Sequence, residues 1–350
     1  MTEHLEPRAP APADVPDVPA VPGGVDVPGR AEVPAVPDGA GGPDVPAAPG
    51  GADGPAVQAV PGGAALSGVP VPRTVAGRAG LGALLDAPGS ALVALDFDGT
   101  LAPIVTDPAS SRLAPGGLDA LRRLAGVVGT LAVVTGRPAA EVVALAELDQ
   151  VPGVLVAGQY GAEHWAGGML TSPEPPPAIA AIRRELPGTV AAVAADHPGV
   201  WIEDKGLALV VHTRPTAEPD AALARLAGPV HALAARHGLT VHPGRLVLEI
   251  RAGTDDKGAV LRRLVADRRP TAVLFAGDDL GDLPAFAAVE ELRAAGVPGL
   301  TVASRSAEAT AVADRADLTV DGPPGVIALL AALTAAATTA TPRVSTSLAE

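Results

Sequence analysis

The sequence predicts an α/β protein: a Rossmann-like, doubly wound, mostly parallel sheet with a smaller α/β domain inserted into it. Three observations carry that reading. The runs ALVAL (91–95), TLAVVT (130–135) and AVLFA (272–276) are apolar without alternation, as strands buried on both faces are. Segments with helical periodicity separate such runs, which calls for crossover connections and hence parallel strands. Between residues 171 and 250 the strand-like stretches alternate polar and apolar instead, as in a sheet with one exposed face.

Residues 1–73 come first and belong to neither texture. They repeat loosely as DVPDVPAVPGG, DVPGRAEVPAVPDGAGG and DVPAAPGGADG, without one aromatic residue. Proline removes donors and glycine offers no side chain to bury, so a disordered, partly polyproline arm is expected. The start, MTEHLEPRAP, lacks the basic-then-apolar order of a secretory signal.

The catalytic-core candidate spans 74–170 and 251–345. A short helix, GRAGLGALLDAP, precedes the opening strand ALVAL. PGGLDALRRLAG places Leu118, Leu121 and Leu124 at helical spacing, and TLAVVT is a buried strand stopped by Gly136. Pro138 begins the helix PAAEVVALAEL, where a missing N–H is harmless. VLVAGQYGAEHW follows as strand and turn. In the insertion, 171–250, PEPPPAIAAIRREL reads as a helix and WIEDKGLALVVHT as two strands around Gly206. EPDAALARLAGPVHALAARHG is a long helix, and LTVHPGRLVLEIRA a hairpin turning at Pro243–Gly244. The core texture then returns with the capped helix TDDKGAVLRRLVADRR, the strand AVLFAGDD, the strand LTVAS and an apolar, Ala/Thr-rich last helix. That tail is read as packed on the domain rather than as a membrane span.

Composition excludes several function classes. A net charge of −14 argues against nucleic acid and anionic membrane as partners. With no cysteine there are no disulfides or thiolate metal sites, which suits a reducing cytoplasm, and any metal must be held by oxygen or imidazole. Of 25 basic residues only Lys205 and Lys257 are lysines. His164, His197, His212 and His242 show no metal spacing and read as surface or structural.

The chemistry gathers at strand ends, where open α/β sheets bind ligands. ALVAL runs into Asp96 and Asp98, which share one side if extended geometry persists that far. Taken alone, this pair fits a turn and a helix cap equally well. Thr135, Gly136 and Arg137 follow the second buried strand and supply a hydroxyl and backbone amides. GDDLGD brings Asp278, Asp279 and Asp282. Lys257 stands in the first turn of its helix, where the dipole disfavours a cation, so its presence asks for a reason. Together these groups fit phosphoryl transfer. Asp96, Asp98 and Asp278 offer hard oxygens suited to Mg²⁺, and Lys257 and Thr135 can offset phosphate charge. Asp96 can attack phosphorus, while Asp98 moves protons.

DFDGTL, VVTGR, the Lys257 helix and GDDLGD resemble the four ordered motifs of the haloacid dehalogenase superfamily of aspartyl phosphatases. The resemblance implies Asp96 as nucleophile and Asp98 as acid/base, with Mg²⁺ held by the Asp96 carboxylate, the Asp98 carbonyl and Asp278. Asp279 and Asp282 would support that shell. The insertion sits where this superfamily places its larger cap, which closes on the core and reads the leaving group. GQYGAEHW, WIEDKGLALVVHTR and GRLVLEIR are similar to the cap-region motifs of trehalose-6-phosphate phosphatases, most of all of actinobacterial type. That similarity implies Glu203, Lys205, Arg214, Arg245 and Glu249 as sugar-pocket residues, with Gly136 and Arg137 at the substrate. Arg245 stands where fungal relatives would carry lysine, and Gly161 and Glu163 are further candidates near the hinge. The expectation is a Mg²⁺-dependent phosphatase that hydrolyses trehalose 6-phosphate to trehalose and phosphate through an aspartyl phosphate, with a functional link to a trehalose-phosphate synthase. Open alternatives are another sugar phosphate, such as sucrose phosphate, and a phospho-receiver without turnover.

Overall fold

The computed structural model describes residues 68–105, 107–305 and 310–340. Most of the expected arm, residues 1–67, and positions 341–345 lie outside the described residues.

Among the described residues, twelve strands form two sheets. The larger is built on β1 (Ala91–Leu95), flanked by β10 (Ala272–Gly277) on one side and β2 (Thr130–Val134) on the other, both parallel to it. Beyond β10 lie β11 (Gly299–Ser304) and β12 (Leu318–Val320), and beyond β2 lies β3 (Leu155–Gly158), all parallel. Chain order therefore runs outward in both directions from β1, which makes the β1 edge the topological switch point. Alternation sorts its side chains: Ala91, Val93 and Leu95 enter the core on one face, Leu92 and Ala94 the core on the other. Helices α1 (Val75–Asp86), α2 (Gly117–Ala125) and α3 (Ala139–Leu145) cover the first face, and α6 (Lys257–Arg268), α7 (Leu283–Ala294) and α8 (Thr310–Arg315) the second.

VLVAGQYGAEHW yields more than a strand and a turn. After β3 the chain reverses into β4 (Glu163–Ala166) and β5 (Met169–Thr171), an antiparallel pair that extends the sheet to eight strands.

The smaller sheet is antiparallel, in the order β6-β7-β9-β8 (Trp201–Asp204, Ala208–His212, Val247–Arg251, Thr240–Gly244). Helices α4 (Pro177–Asp196) and α5 (Pro219–Arg236) pack on one face through Ile179, Ile182, Leu186, Leu226 and Leu233. Two details differ from the sequence reading. Helix α4 continues through Pro187 for another nine residues, because Val190 and Val193 prolong the buried stripe and their burial outweighs one lost hydrogen bond. The β8–β9 hairpin turns at Arg245–Leu246, with Leu246 at φ 58°, not at Pro243–Gly244. Pro243 and Gly244 sit inside the ladder opposite Leu248 and Val247, and β8 is an edge strand, where a missing N–H costs little.

The last helix, α9 (Gly322–Ala340), is long and apolar enough over 18 residues to cross a membrane by length and composition alone. It nevertheless buries Val326, Leu330, Leu333 and Ala337 in the core beside α1 and α2. Leu333→Ala should therefore cost about 2–5 kcal/mol in denaturant unfolding; a cost under ~0.5 kcal/mol would show that α9 is not part of the core.

Candidate active site

Three parallel strands deliver the polar groups to one edge. The Asp96 N–H still bonds to the Ala276 carbonyl (2.9 Å), but beyond it the chain folds back, with Leu101 and Ala102 both donating to the Phe97 carbonyl (2.9 Å each). Gly99 makes the fold-back possible: its φ is 77°, and a Cβ there would stand 2.1 Å from Asp278 Oδ2. Ser304 at the end of β11 anchors this turn by donating to the Gly99 carbonyl (2.6 Å).

Because β1 ends at Leu95, strand alternation does not carry to residue 98, and the two acids part company. Asp96 is buried and its Oδ1 lies 2.6 Å from Lys257 Nζ. Asp98 is held in a fork by Arg137, with Nε to Oδ2 at 2.7 Å and Nη2 to Oδ1 at 2.8 Å. Arg137 Nη1 donates to Glu141 (2.5 Å) and to the Pro108 carbonyl (2.9 Å). Burial opposes its charge, but Asp98 and Glu141 hold the guanidinium ionised.

Lys257 opens α6 because Asp256 caps the helix, accepting from the Ala259 N–H (2.8 Å). Its ammonium is buried, and burial works against the charge. Asp282 (2.7 Å) and Asp96 more than reverse that, so its pKa lies well above the ordinary lysine range. Asp282 has no accessible surface. Its Oδ2 accepts from the N–H groups of Asp278 (2.8 Å) and Asp279 (3.1 Å), pinning the turn after β10, while Asp279 closes a capping box with it. With both oxygens engaged, Asp282 fixes the loop and orients Lys257.

Among the described residues, carboxylate oxygens of Asp96, Asp278 and Asp282 lie within 4.8 Å of one another. One lysine faces Asp96, Asp278, Asp279 and Asp282, and the electrostatics register the imbalance. Burial, then Asp282 and Asp278, lift Asp96 against the pull of Lys257. Burial, then Asp282 and Asp279, push Asp278 up to about 8. A cluster short of positive charge, with only hard oxygen donors, fits a divalent cation, and Asp96 and Asp278 are the members with oxygens to spare. Thr135 is buried beside them, its N–H bonded to the Ala157 carbonyl and its hydroxyl accepting from the Arg137 N–H (3.1 Å).

The uncovered face of the small sheet carries Glu203, Lys205 and Glu249. Lys205 Nζ donates to Glu249 (3.2 Å) and to the Gly136 carbonyl (3.3 Å), joining the two sheets' domains beside Thr135. Glu203 meets His212 (2.9 Å), which lies stacked under Trp201 with ring centroids 4.1 Å apart. Burial resists the Glu203 charge, but His212 and Lys205 keep its pKa below the ordinary value. His212 is thus part of this polar face rather than a surface residue. Arg214 and Arg245 are exposed at the opposite end of the sheet, past the His212–Val247 pair, which itself lies about 13 Å along the ladder from Lys205.

Tyr160 has no counterpart among the sequence-derived candidates. Gln159 and Tyr160 both adopt left-handed backbone (φ 46° and 56°), which swings the ring between the domains. Arg251 lies 4.3 Å over it and Glu249 accepts from its hydroxyl; burial and Glu249 keep the phenol protonated. Gly136 is glycine for the same reason, since a Cβ would come within 2.8 Å of the Tyr160 hydroxyl. That this is the chain's one tyrosine was the available signal. Glu163 accepts from the Ala139 N–H (2.7 Å) at the start of α3 and from the Ser172 hydroxyl (3.2 Å) just after β5.

Residues 94–323 match the family model described as trehalose-phosphatase. Trehalose-phosphate phosphatases of Mycobacterium tuberculosis and Mycobacterium bovis are 34% identical over 201 residues, and that of Mycobacterium marinum 33% over 204. These alignments cover 55–56% of this chain, and the chain spans about half the length (50–51%) of those relatives. Among solved structures, the C-terminal domain of Candida albicans trehalose-6-phosphate phosphatase superposes with a TM-score of 0.63 at 20% identity, covering 76% of this chain and 99% of that one. A trehalose-6-phosphate phosphatase related protein does so with a TM-score of 0.57 at 22% identity, covering 71% and 100%. The chain belongs to the trehalose-phosphatase family.

Proposed function

We propose that this protein hydrolyses trehalose 6-phosphate to trehalose and phosphate, with Mg²⁺, through an aspartyl phosphate on Asp96. The observation that carries the reading is the juxtaposition of the Asp96–Lys257–Asp278 cluster with the Glu203–Lys205–Glu249 face across Gly136. Asp96 Oδ attacks phosphorus and the bond to the sugar oxygen breaks. Asp98 gives its proton to the departing alkoxide, then takes one from the water that cleaves the aspartyl phosphate, which returns Asp96 and frees phosphate. To do this Asp98 exchanges the Arg137 fork for the reacting oxygen. Lys257 keeps the Asp96 carboxylate oriented, and Thr135 with the amides that follow receives phosphate oxygens. Mg²⁺, held by Asp96, the Asp98 carbonyl and Asp278, would neutralise charge on the transferring group.

In this proposal residues 171–250 act as the cap. Their polar face supplies the donors and acceptors that a disaccharide needs, and closure excludes water. A chain without cysteine suits the cytoplasm, where a trehalose-phosphate synthase would supply the substrate. A panel of sugar phosphates assayed for released phosphate tests the assignment: trehalose 6-phosphate should lead, and equal rates on sucrose, glucose and trehalose phosphates would sink it. Glu203→Ala and Lys205→Ala should each raise KM for trehalose 6-phosphate by roughly 10–100-fold, the worth of a charge-assisted hydrogen bond. The rate on p-nitrophenyl phosphate, which has no sugar, should stay within about twofold; a parallel loss on both substrates would contradict a sugar-reading role.

A further inference from the structure

Gln159 takes no part in the proposed chemistry, yet it ties the loop 135–137 to the small domain. We propose that Gln159 is a positioning residue, which sets Lys205 against that loop so that the sugar is read in register with the phosphate. The inference rests on the reading of residues 171–250 as a sugar-reading cap.

The main chain fastens Gln159 to the core. Past the end of β3 its N–H donates to the Arg137 carbonyl (2.8 Å), and the Tyr160 N–H donates to the Thr135 carbonyl (3.0 Å). Both residues stand in left-handed backbone, at φ 46° and 56°, a conformation that residues other than glycine keep where their surroundings hold them in it. The turn at 159–160 therefore moves with the loop that carries Thr135 and Gly136.

The side chain reaches the other domain. Gln159 is 5% exposed, and its Nε2 donates to the Lys205 carbonyl (3.0 Å), 46 residues away. Lys205 follows β6, with its N–H turned to the Ala208 carbonyl (2.9 Å). Its ammonium comes back to the core at the Gly136 carbonyl (3.3 Å) and meets Glu249 (3.2 Å). The contacts close a circuit: Arg137 holds Gln159, Gln159 holds the Lys205 main chain, and the Lys205 side chain returns to Gly136, the neighbour of Arg137. Lys205 is gripped at both ends. The ammonium contact alone would not place it, because a flexible four-carbon stem reaches one carbonyl from many main-chain positions. Holding the main chain removes that freedom. Gln159 does not reach substrate itself, since its amide nitrogen is engaged and its side chain is withdrawn from solvent, so its effect on turnover passes through Lys205.

Gln159→Met keeps length and bulk but cannot donate. It should lower kcat/KM for trehalose 6-phosphate about tenfold, the worth of one buried hydrogen bond, and leave p-nitrophenyl phosphate within about twofold. Added to Lys205→Ala it should cost less than about twofold more, because the residue it acts through is gone. A second readout needs neither sugar nor turnover. The chain has two lysines, and Lys257 is buried between Asp96 and Asp282, so acylation of Lys205 by acetic anhydride can be followed on its own peptide by mass spectrometry. Lys205 should react about fivefold faster in Gln159→Met than in the unaltered protein. Gln159→Asn, one methylene too short for the carbonyl, should do the same and serves if the methionine variant folds poorly. Unchanged Lys205 reactivity in a folded variant, an equal loss on both substrates, or an undiminished penalty in Lys205→Ala would each overturn the proposal. Failure to hydrolyse any sugar phosphate would end the trehalose reading instead, and the acylation rate would still decide whether Gln159 positions Lys205.

Discussion

Asp96→Asn is expected to lower kcat by roughly 10⁴–10⁶-fold, about 5–8 kcal/mol of transition-state stabilisation, and to leave no acid-labile phosphate on the protein. The size follows from the site. The Asp96 carboxylate is buried beside Lys257 and has no equivalent neighbour to replace it: Asp278 lacks the lysine contact, Asp282 is locked by the turn amides, and Asp98 is held by Arg137. An amide keeps the shape but loses the nucleophile. The same change should not unfold the protein. It removes one of four carboxylates facing a single lysine, so the metal-free melting temperature should hold or rise. Quench-flow with labelled substrate and a thermal melt check the two halves. Turnover within tenfold of the unaltered protein would end the case for Asp96 as nucleophile. Loss of activity together with loss of folding would leave the lysine clamp, not the chemistry, as its role.

How much of this was legible beforehand differs between the sheets and the site. Strands β1, β2 and β10 announced themselves because burial on both faces leaves an unbroken apolar run, and a run that ends in acids implies a cation or a reaction. Their ends therefore gave Asp96, Thr135 and Asp278 without any structure. The partner of Asp98 did not follow, because it depends on where the turn after Leu95 aims the side chain, and Gly99 sets that through a close approach to Asp278. The GR of VVTGR reads as a substrate contact, and nothing in that motif points to the Arg137 fork on Asp98, a pairing 39 residues apart in sequence. The placement of Tyr160 was invisible for a related reason. It depends on two successive left-handed residues at Gln159 and Tyr160, and nothing in a QY pair demands that conformation. Local pattern fixed where elements lie; contacts between distant turns needed coordinates.

Asp278→Asn should abolish the response of stability to Mg²⁺ and lower kcat by at least roughly 10²-fold. Burial and its acidic neighbours push the Asp278 carboxyl up to about 8 from an unfolded value near 3.8. The folded chain therefore binds a proton through that window which the unfolded chain releases, so its contribution to stability is full at low pH and is lost as pH rises towards and through 8. The metal-free protein should accordingly melt lower at pH 9 than at pH 6. Mg²⁺ competes with that proton, so its apparent affinity should rise over the same range. At a hundred times its dissociation constant, Mg²⁺ should add about 2.7 kcal/mol and lift the melting temperature most at alkaline pH. In Asp278→Asn the pH slope should flatten, and the Mg²⁺-induced shift should vanish while the fold persists. Differential scanning calorimetry across pH, with Mg²⁺ and with chelator, reads all of these at once. A variant that kept the full Mg²⁺ shift would move the cation away from this carboxylate, and a melting temperature that rose with pH in the metal-free protein would contradict the crowding of Asp96, Asp278, Asp279 and Asp282 around one lysine.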